Sequence, residues 1–403
     1  MGKEYLKAKE SDFEELVDFI NYVFSHSGGK TDFPTLLPKL YRNNDTMKYH
    51  HIMKEEGKIK GVVCSFPLNL NLLGENVKVA GIGSVAVHPY SEGKGYMKEL
   101  MTKSIEDMKN ENVDMSVLSG YRQRYEHFGY EPCGEQINFK ILDLNINYKF
   151  TEEDYEGIMF EILDESKSNL LEKAYKIHSS KTIKVERERE KFLDIAKSWN
   201  ATTYSIYKNY EFIGYISSIN STIFEVALED NNDIDLVIAS YIKRFKLGKV
   251  NLRLGVHEIE KISKLMKICE NYSININNNF RIFNYEKVVG LFLKLKATYS
   301  NLADGECSIG IENYGVLNIK VSNNNIELKK IEEYKDELSK EGSGNKELKS
   351  QNIRKFHIEL GELEAMNFIF SPLKSYFDFN KDIPNFIQSW FPLPLYIENL
   401  DCV

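Results

Sequence analysis

Two glycines one residue apart, Gly93 and Gly95, stand between a run of alternating apolar residues and the start of a helical repeat. The run reads Ser84-Val85-Ala86-Val87-His88-Pro89-Tyr90-Ser91-Glu92-Gly93-Lys94-Gly95-Tyr96-Met97. Val85 and Val87 alternate as in a strand, and Pro89, which cannot donate to a ladder, ends it. From Tyr96 onward, Met97, Leu100, Met101, Ile105 and Met108 recur at helical spacing. Glycine lets a backbone come close to a ligand, and a helix start offers free N–H groups with a partial positive charge. The chemistry this suits is the cradling of an anion such as a pyrophosphate. A junction that needs glycine for turn geometry alone would look the same.

The elements that would position this cradle follow from the flanking pattern. Ser11 with Glu14 predicts a capping box for an amphipathic helix carrying Phe13, Leu16, Val17, Ile20 and Phe24. Strand-like segments follow near Tyr49–Met53, Ile59–Pro67 and Val77–Val87, the first two joined by the turn Glu55-Glu56-Gly57-Lys58. Beyond the helix, Asp114–Ser119 reads as a short buried strand leading into Gly120-Tyr121-Arg122-Gln123-Arg124-Tyr125-Glu126-His127-Phe128-Gly129-Tyr130-Glu131. A His-Pro turn, Gly-x-Gly and helix, a strand, then Tyr-x-x-Phe-Gly-Tyr resembles the acetyl-CoA-binding half of the GNAT N-acetyltransferases. The signature departs from the usual one: Tyr90 stands where Gln or Arg is customary, and Glu92 makes the phosphate corner less cationic, leaving Lys94 and Lys98 to compensate.

A chain of 403 residues is too long for one such domain. A GNAT domain at the N-terminus with a long extension resembles the enhanced intracellular survival family, specifically over Lys58–Glu131 and architecturally beyond. The resemblance implies an α/β (α+β) fold with tandem GNAT-like domains and a sterol-carrier-protein-like C-terminal domain. The expected divisions are 1–150 (catalytic), 151–285 (degenerate) and 286–403, the last with a tail reaching the active site. In the middle segment, helices are expected at Leu170–Ile177, Val185–Ser198 and Ile234–Phe245. A hairpin is expected over Tyr204–Tyr207 and Phe212–Ser217, with strands at Thr222–Ala227 and Val250–Leu254. Its junction Leu228–Asp233 has three carboxylates and no glycine, which argues against CoA there. In the last segment the expectation is a helix at Val288–Ala297 and a hairpin turning at Asn323-Asn324. A loop over Lys330–Asn352, a strand at Ile353–Leu360, a helix at Gly361–Phe368 and an ordered tail complete it.

Composition fits an enzyme with real cores: 42% hydrophobic and 28% charged residues. No apolar run approaches a membrane span and the start lacks a signal-peptide core, so a cytoplasmic location is expected. The five cysteines, Cys64, Cys133, Cys269, Cys307 and Cys402, are scattered, without metal-ligand spacing, and read as reduced thiols. No metal is expected. The net charge of −8 argues against nucleic-acid binding and favours cationic small molecules by steering.

Acetyl transfer to an amine needs a held thioester, a neutral amine, oxyanion stabilisation and a proton for the departing thiolate. The resemblance implies acetyl-CoA as cosubstrate, its pantetheine along Val85, Ala86 and Val87 and its pyrophosphate on Gly93, Lys94, Gly95, Tyr96, Met97 and Lys98. Ser119 would stand where the strands splay. Tyr125 matches the family's general acid, and a phenol with a pKa near 10 holds its proton at neutral pH; Phe128 and Tyr130 are read as a packed aromatic cluster, which Tyr125 could also merely join. The family's base is the terminal carboxylate, here that of Val403, with His88, His127, Glu126 and Asp401 as alternatives. The implied acceptor is a small polycationic amine, aminoglycoside-like or a polyamine. A protein lysine, or no acceptor at all in a CoA- or lipid-binding scaffold, remains open. The implied assembly is a homo-oligomer, a hexamer by family, with no nucleic-acid or membrane partner.

Overall fold

In the computed structural model, residues 2–331, 355–373 and 383–403 are described; most of the expected loop at Lys330–Asn352 lies outside them. Five strands open the chain: β1 (Lys3–Lys7), β2 (His50–Glu55), β3 (Lys58–Leu72), β4 (Glu75–Val87) and β5 (Met115–Leu118). They lie side by side in chain order. Positive-φ residues Glu56 and Gly57 make the tight β2–β3 turn, as the sequence suggests. The helix Phe13–Gly28 buries Leu16, Val17 and Ile20 on one face of this sheet. The helix Tyr96–Asn110 buries Tyr96, Leu100, Met101 and Met108 on the other. The expected Ser11–Glu14 capping box does not form; instead the Asp12 carboxylate accepts from the Lys9 backbone N–H at 2.8 Å, one turn earlier.

The middle of the chain continues the same sheet. It contributes β6 (Glu131–Leu142), β7 (Ile158–Ile162), β8 (Ile183–Val185), β9 (Thr202–Lys208), β10 (Glu211–Ile219), β11 (Thr222–Leu228), β12 (Lys249–Gly255) and β13 (Asn271–Ile282). The order after β5 is β13-β6-β12-β11-β10-β9-β7, with β8 attached to β3. The last strand of this stretch, β13, is therefore inserted between β5 and β6, antiparallel to both. The helix expected over Val185–Ser198 is corrected. Val185 pairs with Leu70 as the end of β8, and the α-helix is confined to Phe192–Ala196 between 3-10 turns. One apolar turn (Phe192, Leu193 and Ala196 buried) was too short to separate from its β-branched neighbour by periodicity.

A second, four-stranded sheet follows: β14 (Gly305–Ile311), β15 (Gly315–Ser322), β16 (Asn325–Ile331) and β17 (Lys355–Leu360), in the order β16-β15-β14-β17. The β15–β16 turn uses Asn323 and Asn324 with φ of 50° and 61°. Helices Tyr285–Ala297 and Glu362–Phe370 join this sheet to the first in one apolar core holding Val79, Val117, Phe280, Phe292, Leu317 and Ile369. Trp390 is fully buried there, its indole N–H donating to the Ala303 carbonyl at 2.8 Å. Trp390→Ala should cost about 3–5 kcal/mol of stability through the cavity and the orphaned carbonyl, measured by urea unfolding.

Candidate active site

β4 and β5 run parallel only from Val79–Met115 to Ile82–Leu118. β4 continues to Val87 while the chain leaves β5 through Ser119 and Gly120, so the strands part and β4 is left with an open edge. On its other edge, Ala86 and Val87 stay paired to Val62 and Gly61 of β3. A bulge at Ser84, φ 50°, makes two β4 residues oppose one of β3, a device that twists and re-aims a strand. The Ser84 hydroxyl meets the Tyr41 hydroxyl, which bonds His50 Nε2 at 2.9 Å, and His50 Nδ1 reaches the Thr46 carbonyl at 3.1 Å. Burial pushes the His50 pKa down to about 4. The ring is thus neutral: Nδ1–H donates to Thr46, Nε2 accepts from Tyr41, and the Ser84 hydroxyl donates to Tyr41.

Past β4, a 3-10 turn (Pro89–Ser91) leads into Gly93 and Gly95, with φ of 77° and 80°, and the helix begins at Tyr96. Both glycines face open space. Gly95 caps the helix without any side-chain bond, which leaves the first-turn N–H groups of Tyr96, Met97 and Lys98 without an intrahelical partner. Lys98 is exposed. Lys94 is held by the Glu55 carboxylate at 2.8 and 3.1 Å. The strand end, the two left-handed glycines and the helix start expected from Gly-x-Gly are present as backbone geometry.

Tyr125 closes the short helix Arg122–Tyr125 and is buried, its ring against Gly120: a β-carbon there would sit 2.4 Å from the ring. Burial raises the phenol's pKa. Tyr130 is fully buried and bonded to Ser116 at 2.7 Å, and Phe128 packs on the same cluster. The Val403 carboxyl carbon lies 2.6 Å from where a Gly83 β-carbon would be, so only glycine fits. Ala80 and Ile82 face the cluster holding Tyr125, whereas Gly81 and Gly83 face the cluster holding Val403. Strand alternation therefore brings phenol and carboxylate to the same parting of β4 and β5 from opposite faces of the sheet.

The other acid–base candidates are otherwise engaged or displaced. His88 Nδ1 accepts from the Tyr90 N–H at 3.2 Å, and its ring lies 5.5 Å from that of Tyr22. Glu126 pairs with Arg122 at 3.1 Å, and His127 is exposed. Asp401 is bound by Arg187 through two bonds of 2.8 and 3.0 Å. Sequence reading missed Lys39, Tyr41, His50 and Arg187; nothing local marks residues whose partners lie more than 200 or 300 positions away, as for Arg187 and Lys39. A groove of about 1490 Å³ lined by Tyr49, Ser65, Asn69, Tyr175 and Glu186 lies apart from the cradle. Among the described residues, no group of three or more His, Cys, Asp or Glu could hold a metal. No helix among them is long and apolar enough to cross a membrane.

Residues 4–133 match the family described as the acetyltransferase (GNAT) domain. No curated protein matches the chain by sequence. A probable N-acyltransferase of Enterococcus faecalis is similar in structure, with TM-score 0.63, 14% identity, and 99% of this chain and 100% of that one covered. So is a GCN5-related N-acetyltransferase of Anabaena variabilis, with TM-score 0.63, 17% identity and 98% of each chain covered. Eis1 of Mycobacterium abscessus is similar as well, with TM-score 0.59, 12% identity and 98% of each covered. At these identities the likeness is one of fold along the whole chain. With the cradle and the parted strands lying inside the matched segment, the protein is an acetyltransferase enzyme carrying an N-terminal GNAT domain.

Proposed function

We propose that the protein transfers an acetyl group from acetyl-CoA directly to a primary amine of a small polycationic acceptor, aminoglycoside-like or a polyamine. The parting of β4 and β5 carries this reading, with a glycine cradle beyond one end, a buried phenol on one face and a carboxylate on the other. The backbone groups of Val85, Ala86 and Val87 on β4's open edge pair with the pantetheine amides. The segment Gly93–Lys98 takes the pyrophosphate, and Ser119 borders the opening. The Val403 carboxylate accepts a proton from the acceptor's ammonium. The freed amine attacks the thioester carbon, the N–H of Val87 or a neighbour donates to the oxyanion, and the C–S bond breaks. Tyr125, kept protonated by burial, gives its proton to the departing sulfur; the surplus proton on the new amide nitrogen passes through solvent to re-form the phenol, and the Val403 carboxyl releases its own proton to solvent. The net charge of −8 supports a cationic acceptor.

The rest of the chain is read as support. The crossover β11–helix Ile234–Arg244–β12 repeats the parallel arrangement of β4–helix–β5, which favours a second GNAT-like unit. Its junction carries Asp230, whose carboxylate accepts from the Asn232 N–H, in place of a glycine cradle. We read the four-stranded sheet as a sterol-carrier-like scaffold, the assembly as a homo-oligomer (six subunits in the family it resembles) and the location as cytoplasmic. All five cysteines are free thiols, which suits that compartment.

Thiol release from acetyl-CoA, assayed against aminoglycosides, polyamines and lysine peptides, tests the reading: acceptance of peptides alone would replace the small amine by a protein lysine. Gly95→Val forces a β-branched residue into a left-handed conformation that costs about 1–2 kcal/mol. It should raise the acetyl-CoA Kd roughly tenfold by calorimetry. Tyr125→Phe should lower kcat about 10²-fold or more with acetyl-CoA affinity retained; an undiminished kcat removes Tyr125 as the acid. Deleting Cys402 and Val403 should likewise lower the rate in a protein that still melts cooperatively, and an unchanged rate sinks the carboxylate base.

A further inference from the structure

The last residues of the chain are held by side chains that come from two distant segments. Lys39, buried, donates from Nζ to the Leu400 carbonyl at 2.6 Å and to the Cys402 carbonyl at 2.5 Å. Arg187, also buried, grips both oxygens of Asp401 through Nε and Nη2. Its remaining nitrogen, Nη1, is tied back to Glu225 Oε2 on β11 at 2.9 Å. The Trp199 indole N–H donates to the Asn399 carbonyl at 3.0 Å. Four consecutive positions, 399 to 402, are thus each fixed by a donor from outside the tail, and the next residue, Val403, carries the carboxyl that abuts Gly83.

Holding a terminus this way is more than is needed to bury it. Val403 and Leu400 are already in apolar surroundings. Two cations buried in that interior are expensive unless they do something that apolar packing cannot. A planar guanidinium bound bidentately fixes direction as well as distance. We propose that Arg187, assisted by Lys39, is a positioning residue: it orients the tail so that the Val403 carboxylate enters the opening between β4 and β5. This rests on the terminal carboxylate serving as the base. Through Glu225, the middle segment of the chain thereby sets the geometry of a site built on the first.

The groups facing Arg187 are Asp401 and Glu398 from the tail and Glu225 from β11. Lys181 joins Glu225 and Glu398, and His178 and Tyr215 also reach Glu225. Replacing Arg187 by Lys keeps the charge and loses the fork; Arg187→Met loses both; Asp401→Asn removes the anion with little change of shape. Lys39→Met is a second, independent cut at the tail.

The test combines native carboxypeptidase digestion followed by mass spectrometry, the thermal shift given by acetyl-CoA, and kcat and KM with the best amine of the panel. Release of Val403 should be at least tenfold faster in Arg187→Met, Asp401→Asn and Lys39→Met than in the parent protein, with Arg187→Lys restoring part of the protection. The acetyl-CoA shift should stay, and kcat should fall with the KM for acetyl-CoA kept, matching the protein cut after Asp401. A tail equally protected in all three variants overturns the proposal, and the protection assay needs no acceptor to decide this. A slow truncated protein beside fast point variants overturns the positioning role while leaving the base in place. A released tail with kcat unchanged in both the variants and the truncated protein overturns the base, and the positioning role with it.

Discussion

A strand of tail buried in protein must find a partner for every polar group it carries, and that requirement organises the molecule. The segment from Leu393 to Val403 runs through the interior without joining a sheet. Its N–H and C=O groups are therefore answered one by one. Leu393 donates to Ile369 at 2.8 Å, and Leu395 accepts from the Glu135 N–H on β6 at 2.9 Å. Ile397 is met at both its N–H and its carbonyl by the Asn277 carboxamide of β13. Trp199 and Lys39 take the carbonyls of Asn399, Leu400 and Cys402, and Arg187 takes the Asp401 side-chain carboxylate. Each answering group belongs to a different part of the chain, so the tail is where all the parts are held in common register.

Gly134 on β6, φ 78°, marks how close this fit is. A β-carbon there would lie 2.6 Å from the Leu395 carbonyl oxygen. The tail also explains the charges buried around it. Arg187, Glu225, Asp401, Lys181 and Glu398 form one connected set. Burial and the nearby Glu225 charge push the Glu398 carboxyl up to about 8. Two cations, Arg187 and Lys181, are shared among these three carboxylates, and that pairing lets the set exist without solvent.

What could be read from the sequence was what is local. The cradle needs only a strand end, two glycines and a helix start within fourteen residues, and the left-handed angles of Gly93 and Gly95 follow from residue type. The Tyr-x-x-Phe-Gly-Tyr motif could be set beside β5 because it is contiguous with that strand. An ordered tail was expected, but not what holds it: Lys39 and its carbonyl partners are 361 and 363 positions apart. The same limit explains β13. Its sequence does alternate, with Tyr272, Ile274, Ile276, Phe280 and Ile282 at period two, but with Tyr272 and Ile274 exposed that pattern says nothing of which strands it will pair with. The division near residue 150 likewise gave no hint that β6 would be flanked on both sides by later strands.

The insertion of β13 between β5 and β6 also bears on how the chain reaches its native state. Phe280 pairs with Val117 and Glu131, contacts that close loops of roughly 150 residues or more. The entropy of such closure grows only slowly with length, yet it must be met before any of the pairing is rewarded, and folds of high contact order are slow for that reason. Until β13 arrives, β5 and β6 each present an open edge in the middle of a would-be sheet, the kind of surface that recruits other chains. The two edges left by the first half of the chain are thus closed by a strand that is made about 130 residues later.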